Sequence, residues 1–212
     1  RGAGFTMLGA AAAAAGAAIG AALFSEASIG AAMEAEAGIQ RLNQSLANAG
    51  RYSTETSQSF IDLASEIQRT TTIEDDAVFS LAALANNFAK TNEQAQGLTK
   101  AAIELSAATG KDLNSSVEVL GKTLSGSAGL LTKQIPELQN FTKEQLKAGA
   151  AIDVVLSRFS GSAASQVNTF SGALTQAKNS FGDLLEEIGN FVVKDKVVVA
   201  LLKAIADSFN SA

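Results

Sequence analysis

Acidic side chains are the first place to look for chemistry in this chain, because it has neither histidine nor cysteine. Those absences remove the commonest general base near neutral pH, the thiol nucleophile and the usual zinc and iron ligands, and without cysteine the redox compartment cannot be inferred. What remains is carboxylate chemistry, in which paired acids exchange a proton or several oxygens hold a hard cation. Glu74-Asp75-Asp76 is the densest acidic run. It comes just after Thr72, with Ile73 between, where acids in a helix's first turn favour the positive end of the dipole. Asp183, Glu186 and Glu187 lie in sequence on one amphipathic helix beside an apolar seam, the setting of a solvated face or of e/g pairing rather than of a converging catalytic pair. Gly121 and Gly126 are spaced like the glycines of a phosphate loop, but Ser127 and Ala128 stand where lysine and a hydroxyl residue are required. Gly121-Lys122-Thr123 copies the end of that motif with Ser116 where its first glycine belongs. The expectation is a protein that is not an enzyme, with no catalytic residue, no cofactor and no metal.

With chemistry set aside, the elements carry the reading. Of the 212 residues 47% are hydrophobic, yet only 6% are aromatic and tryptophan is absent, so much of the apolar content is alanine. Alanine favours helix but removes little area from water, which suits long, thin, closely approaching helices better than a thick core. Pro136 is the single proline, in agreement with an all-α chain. A net charge of −5 and a pI near 4.8, with Lys and Arg scattered, give no footprint for a phosphate backbone, so no sequence-specific nucleic-acid partner is expected. The chain starts at Arg1 without an initiator methionine, which fits a piece of a longer polypeptide.

From Gly2 to Ser25 no side chain is charged, a length sufficient to span a bilayer. The stretch holds eleven alanines and five glycines, and its large apolar groups include Leu8, Ile19, Leu23 and Phe24. Its Leu, Ile and Phe residues contribute only about −1.5 to −3 kcal/mol towards insertion, which glycine partly cancels. Ala12, Gly16 and Gly20 recur at four-residue spacing, and the last two form a GxxxG pair that lets helix backbones approach closely. Two readings stand side by side: a membrane-competent helix, and a dry helix packed inside an oligomer. A secretory signal fits less well, since there is no short hydrophobic block with an orderly cleavage site. Ala32, Ala35, Ile39, Leu42 and Leu46 continue the three-four alternation and Gly50 supplies a stop, so one helix is expected from about Thr6 to Asn48, roughly 65 Å long.

Residues 51–161 read as a small helical domain between that N-terminal region, residues 1–50, and a heptad-patterned region, residues 162–212. Thr72 with Asp75, Thr91 with Gln94 and Thr142 with Gln145 each set an oxygen cap before a helix, and Gly110, Gly126 and Gly161 fall where helices should end. The pattern predicts helices near 55–70, 73–90, 92–109, 113–125 and 143–159, whose apolar faces suffice for a small core. A further helix is expected to run from Ser162 through Phe191, before the charged interruption at Lys194-Asp195-Lys196, and a terminal helix from Val197 to Phe209 follows. The fold class is thus all-α, long N- and C-terminal helices flanking a small bundle, with oligomerisation expected. Whether the flanking helices form a hairpin stalk or point apart as a rod is left open by the sequence.

Val167, Phe170, Leu174, Ala177, Phe181, Leu184, Ile188 and Phe191 alternate strictly by three and four, a seam that a helix buries only by lateral association. Another copy, or the chain's own head, would serve as the other side. This stretch, Thr169 to Gly189, resembles tail tape measure proteins of long-tailed bacteriophages and prophages, as do Leu98-Thr99-Lys100-Ala101-Ala102-Ile103, Ala107-Ala108-Thr109-Gly110-Lys111-Asp112-Leu113 and Leu120-Gly121-Lys122-Thr123-Leu124-Ser125-Gly126. The resemblance runs from about Ile39 to Gly189. It implies a structural ruler in the lumen of the tail tube, setting tail length and leaving ahead of the DNA at infection, with virion and then host envelope as its locations. It further implies as partners other copies of the chain, as a trimer or hexamer, the tail tube, tail tip or baseplate hub proteins, tail assembly chaperones, and the host membrane through the hydrophobic segment. Two rivals belong to other classes: a helical membrane-active or pore-forming secreted protein, and a lytic enzyme domain embedded in a tape measure protein. The lack of histidine and of an isolated acid pair argues against the second.

Overall fold

The computed structural model describes residues 26–169, 172–173, 175–180, 182–183 and 186–187. Among them the chain is helical, with no strand. Two compact units are present, one of residues 1–36 and 180–212, the other of residues 37–179. In the first, the described residues are helical, Ala35 is buried and Met33 exposed. No helix among the described residues is long and apolar enough to cross a membrane.

The larger unit begins within α1 (Glu26–Asn48). Leu42 and Leu46, four residues apart, are fully buried in its core. Gly38 lets the helix come close: a Cβ there would stand 3.0 Å from Asp76 Oδ1 and 3.2 Å from the Phe79 ring. The helix stops at Gly50, at φ +67°, where Arg51 N–H donates to the Leu46 carbonyl (2.8 Å) and Gly50 N–H to that of Ala47 (2.9 Å). That paired closure is the Schellman motif, so the glycine stop read from the sequence is present.

α2 (Thr54–Thr70) starts on Ser53, whose hydroxyl accepts the Thr56 N–H, and buries Phe60, Leu63, Ala64 and Ile67 on one stripe. α3 (Asp75–Asn86) is shorter than the helix expected over 73–90. The Thr72 cap is not made; Glu74 holds the cap position without a side-chain capping bond. At the other end, Arg51 Nη2 donates to both the carbonyl and the Oδ1 of Asn86 (3.1 Å each), closing the helix there. α4 (Asn92–Thr109) has the expected bounds, with Thr91 accepting from Gln94 N–H and left-handed Gly110 as its stop.

α4 is the axis of the unit. α2, α3, α5 (Leu113–Thr123), α7 (Ala150–Phe159) and α8 (Ser162–Val167) all pack on it. It buries Ala95, Leu98, Thr99, Ala101, Ala102, Ile103 and Leu105, and the Thr99 hydroxyl is satisfied by the Ala95 carbonyl at 2.8 Å. Small side chains on several faces let so many neighbours reach one helix, so here alanine serves a globular core rather than the thin rod expected of it.

After α5, two 3-10 turns, Gly129–Lys133 and Pro136–Asn140, tuck Leu131, Ile135 and Leu138 into the core. The helix expected over 143–159 is in fact two: α6 (Lys143–Ala148), opened by the full Thr142–Gln145 capping box, and α7. Gly149 breaks it at φ +108°, and the Gln94 side chain donates to the Lys147 carbonyl at 3.1 Å. The apolar period continues through the break, which is why the sequence pattern did not register it.

The continuous helix expected from Ser162 to Phe191 is also broken. α8 ends at Val167, and Thr169 starts a new segment by accepting the Gly172 N–H on its hydroxyl (2.9 Å) and the Ala173 N–H on its carbonyl (2.9 Å). Helical backbone returns at 172–173 and 175–180. A Cβ built on Gly172 would collide with the Gln166 carbonyl, so the corner is one only glycine fits.

Candidate functional site

The expected membrane or helix-association residues Leu8, Ala12, Gly16, Ile19, Gly20, Leu23 and Phe24 lie outside the described residues. So do six of the eight seam residues: Phe170, Leu174, Phe181, Leu184, Ile188 and Phe191. The other two sit in different environments. Val167, half-buried, ends α8 on the near side of the Asn168–Thr169 turn; Ala177, exposed, lies in the helical stretch 175–180 beyond it. Val167 therefore does not share a helix with Ala177.

The 175–180 stretch is fastened to the turn between α2 and α3 by amides. Gln176 Nε2 donates to the carbonyls of Arg69 (2.9 Å) and Thr71 (3.3 Å), two of the carbonyls that the end of α2 leaves open. Asn179 is buried; in the orientation that satisfies both ends of its amide, its nitrogen donates to Thr175 O (2.9 Å) and Glu74 Oε1 (3.1 Å). The opposite orientation reaches only the Thr72 carbonyl, at 3.4 Å, so the first is preferred. Gln176 and Asn179 are three apart and share a face, and Ala177 is turned away from it. Sequence reading missed both amides, because polar residues between heptad positions look like a solvated face.

A second fastening holds α8. Glu104 on α4 accepts the N–H groups of Gly161 (3.2 Å) and Ala163 (3.0 Å), using its carboxylate as a cap supplied from another helix. At the α1–α2 corner, burial lowers the pKa of Arg51 and the charge of Glu93 opposes that shift. An arginine remains cationic in this setting, and its role is to close α3.

Among the described residues no group of three or more acids could hold a metal ion. Glu74 and Asp75 belong to the start of α3, where Asp75 Oδ1 accepts the Asp76 N–H at 2.8 Å; Asp183 and Glu187 are exposed and Glu186 half-buried. Glu55, Glu93 and Asp112 have pKa values lowered chiefly by backbone N–H groups, those of Glu55, Glu93 and Ser115 respectively, which is the electrostatics of helix starts. Gly121-Lys122-Thr123 lies at the end of α5, with Gly121 against the Phe88 ring and the Thr123 hydroxyl donating to the Leu120 carbonyl at 2.6 Å. No loop is present there to cradle a phosphate.

The surface of the larger unit includes these two open grooves among the described residues. One, of about 340 Å³, is lined by Glu137, Phe141, Asp153, Val154 and Arg158, and its Glu137 is paired with Arg158 at 3.5 Å. The other, of about 370 Å³, is lined by Gln40, Asn43, Gln44, Ala47 and Tyr52. Comparison with protein families, with curated proteins and with solved structures finds no match.

Proposed function

We propose that this chain is a region of a phage tail tape measure protein, a helical part of the ruler that occupies the tail tube and leaves it at infection. The support is the sequence resemblance over residues 39–189 together with the helical architecture of the described residues. One observation carries the association part. Ala177, a seam position, is exposed while Gln176 and Asn179 of the same stretch bind the head. The face that Ala177 belongs to is thereby left for a partner, and the simplest partner for a heptad stripe is the same stripe on another copy. In this reading the stripe begins after Thr169, because the turn there removes Val167 from it.

The role is structural rather than catalytic, and the hydrophobic stretch from Leu8 to Phe24 meets the host membrane during ejection. The decisive experiment uses length. In-frame deletion of helical residues from the parent gene shortens the tail by about 1.5 Å for each residue removed; tails of unchanged length would end the ruler reading. Light scattering on the full chain reads the association separately, with a trimeric or hexameric mass expected and a monomer at all concentrations counting against it. Flotation of the chain with liposomes tests the membrane contact, and a chain that stays with the aqueous fraction removes that part.

A further inference from the structure

Two starts for α3 are written into residues 72–75, and the chain uses the weaker one. Thr72 has a side chain that caps helices well, with the acidic Asp75 three residues on. The helix begins instead after Glu74, a residue type that caps poorly and here makes no capping bond. Asp75 turns its carboxylate to the N–H of its neighbour Asp76, at 2.8 Å. Glu74 stands at φ −73°, ψ 150°, so its φ is already helical and only its ψ keeps it out of the helix.

The 175–180 stretch lies over this turn. Gln176 Nε2 donates to the Arg69 carbonyl at 2.9 Å and the Thr71 carbonyl at 3.3 Å. Asn179, only 4% exposed, brings its nitrogen to Glu74 Oε1 at 3.1 Å. Asn179 therefore holds the residue whose ψ decides where α3 begins. In a helix started at Thr72, Glu74 would take the second helical position and its side chain would leave the direction it has as a cap residue. The Asn179 bond and the Thr72 cap thus exclude each other. One helix cap against a few side-chain hydrogen bonds is a near-even contest.

We propose that the 175–180 stretch is a releasable strap coupled to the start of α3. Docked, it holds Glu74 at the cap position; released, it lets Thr72 cap a helix that begins at Ile73. Two arrangements of one segment, each forgoing the bonds of the other, make a two-state element. By linkage, whatever strengthens Thr72 as a cap loosens a strap more than 100 residues away. Because the strap carries Ala177, the switch sets whether that seam position is held at the head. The inference stands apart from the ruler reading, since it concerns only residues 72–75 and 175–180.

The chain has no cysteine, so nitroxide labels on Ser65→Cys and Lys178→Cys, both exposed positions, read the strap without background. The full labelled chain is diluted into unlabelled chain, which removes distances between copies, and measured by pulsed electron resonance. One narrow distance is expected for the parent. Gln176→Ala/Asn179→Ala is expected to convert most of it to longer distances and to turn the Cα chemical shifts of Ile73 and Glu74 helical. Adding Thr72→Ala lowers the ratio of released to docked chains about fivefold, as for one lost cap, and Thr72→Ser keeps it. Gln176→Ala alone, at a half-buried position, gives the same changes in smaller measure and decides the matter if the double variant unfolds. The proposal is overturned by a strap that stays docked in both amide variants, by release that leaves Ile73 and Glu74 extended, or by a released fraction indifferent to Thr72.

Discussion

α4 and the second half of α1 each bury leucine completely, Leu98 on the one and Leu42 and Leu46 on the other, yet their remaining faces differ. Around α4 half of the other buried positions are alanine, Ala95, Ala101 and Ala102, and five helices reach it. On α1 the exposed positions include Gln40, Arg41, Gln44, Ala47 and Asn48, and the Gln40–Tyr52 groove lies over part of them. Alanine thus means opposite things in the two helices. On α4 it makes room for neighbours; at Ala47 it is a small residue at the surface.

Substitution of alanine by leucine separates the two cases most sharply. Leu98→Ala sets the scale for α4, with a loss of about 3 to 4 kcal/mol in urea unfolding. Ala102→Leu, adding bulk where every side is occupied, is expected to cost about 1 to 3 kcal/mol. Ala47→Leu should stay within about 0.5 kcal/mol of the parent protein. Equal midpoints for the two alanine variants would erase the distinction between the helices.

Gly149→Ala comes next. At φ +108° an L side chain is strained, and a loss of about 1 to 2 kcal/mol is expected in the same assay. If the variant is instead more stable, α6 and α7 have joined into the single helix that the apolar period suggested, and circular dichroism would show the added helix.

Glu104→Gln should cost about 1 kcal/mol by weakening the two N–H contacts from Gly161 and Ala163. Its effect is local: faster amide exchange at 161–163 with exchange in α4 unaltered. Exchange rising equally in both places would show that α4 depends on that contact.

The smallest effect concerns pH. Glu55, Glu93 and Asp112 have folded pKa values below their ordinary 4.5, 4.5 and 3.8. Their contribution is fully present above those ordinary values and disappears as pH falls through the lower folded ones, because protonation removes the anion that accepts the helix N–H groups. All three groups are exposed, so a shallow decline in stability is expected below about pH 4.5. Asn replacement at Asp112 should flatten it, and an unaltered decline would assign the slope to other acids.

The local signals in the sequence transferred well. Thr91 with Gln94, Thr142 with Gln145, and the glycines 50 and 110 are events within one turn of helix, and each is found in place. Thr72 failed because its competitor is tertiary: α2 ends next to it, and the carbonyls of Arg69 and Thr71 there accept from Gln176. The break at Gly149 was hidden for a related reason, since the apolar period survives it. Arg51, Glu104 and the two amides act across 35, 57 and more than 100 residues of sequence, distances at which no spacing rule applies. As for the association surface, the seam could be named from its period, but the turn that detaches Val167 depends on a hydroxyl at Thr169 that carries no apolar signature.

The corner at Gly172 has a mechanical side. With a hydrogen as its only substituent, the backbone there rests against the Gln166 carbonyl, so the bearing of the 175–180 helix is fixed by the lack of one methyl group. A β-carbon at that point would act as a wedge under a lever, swinging the amides of Gln176 and Asn179 off their carbonyls without touching either of them.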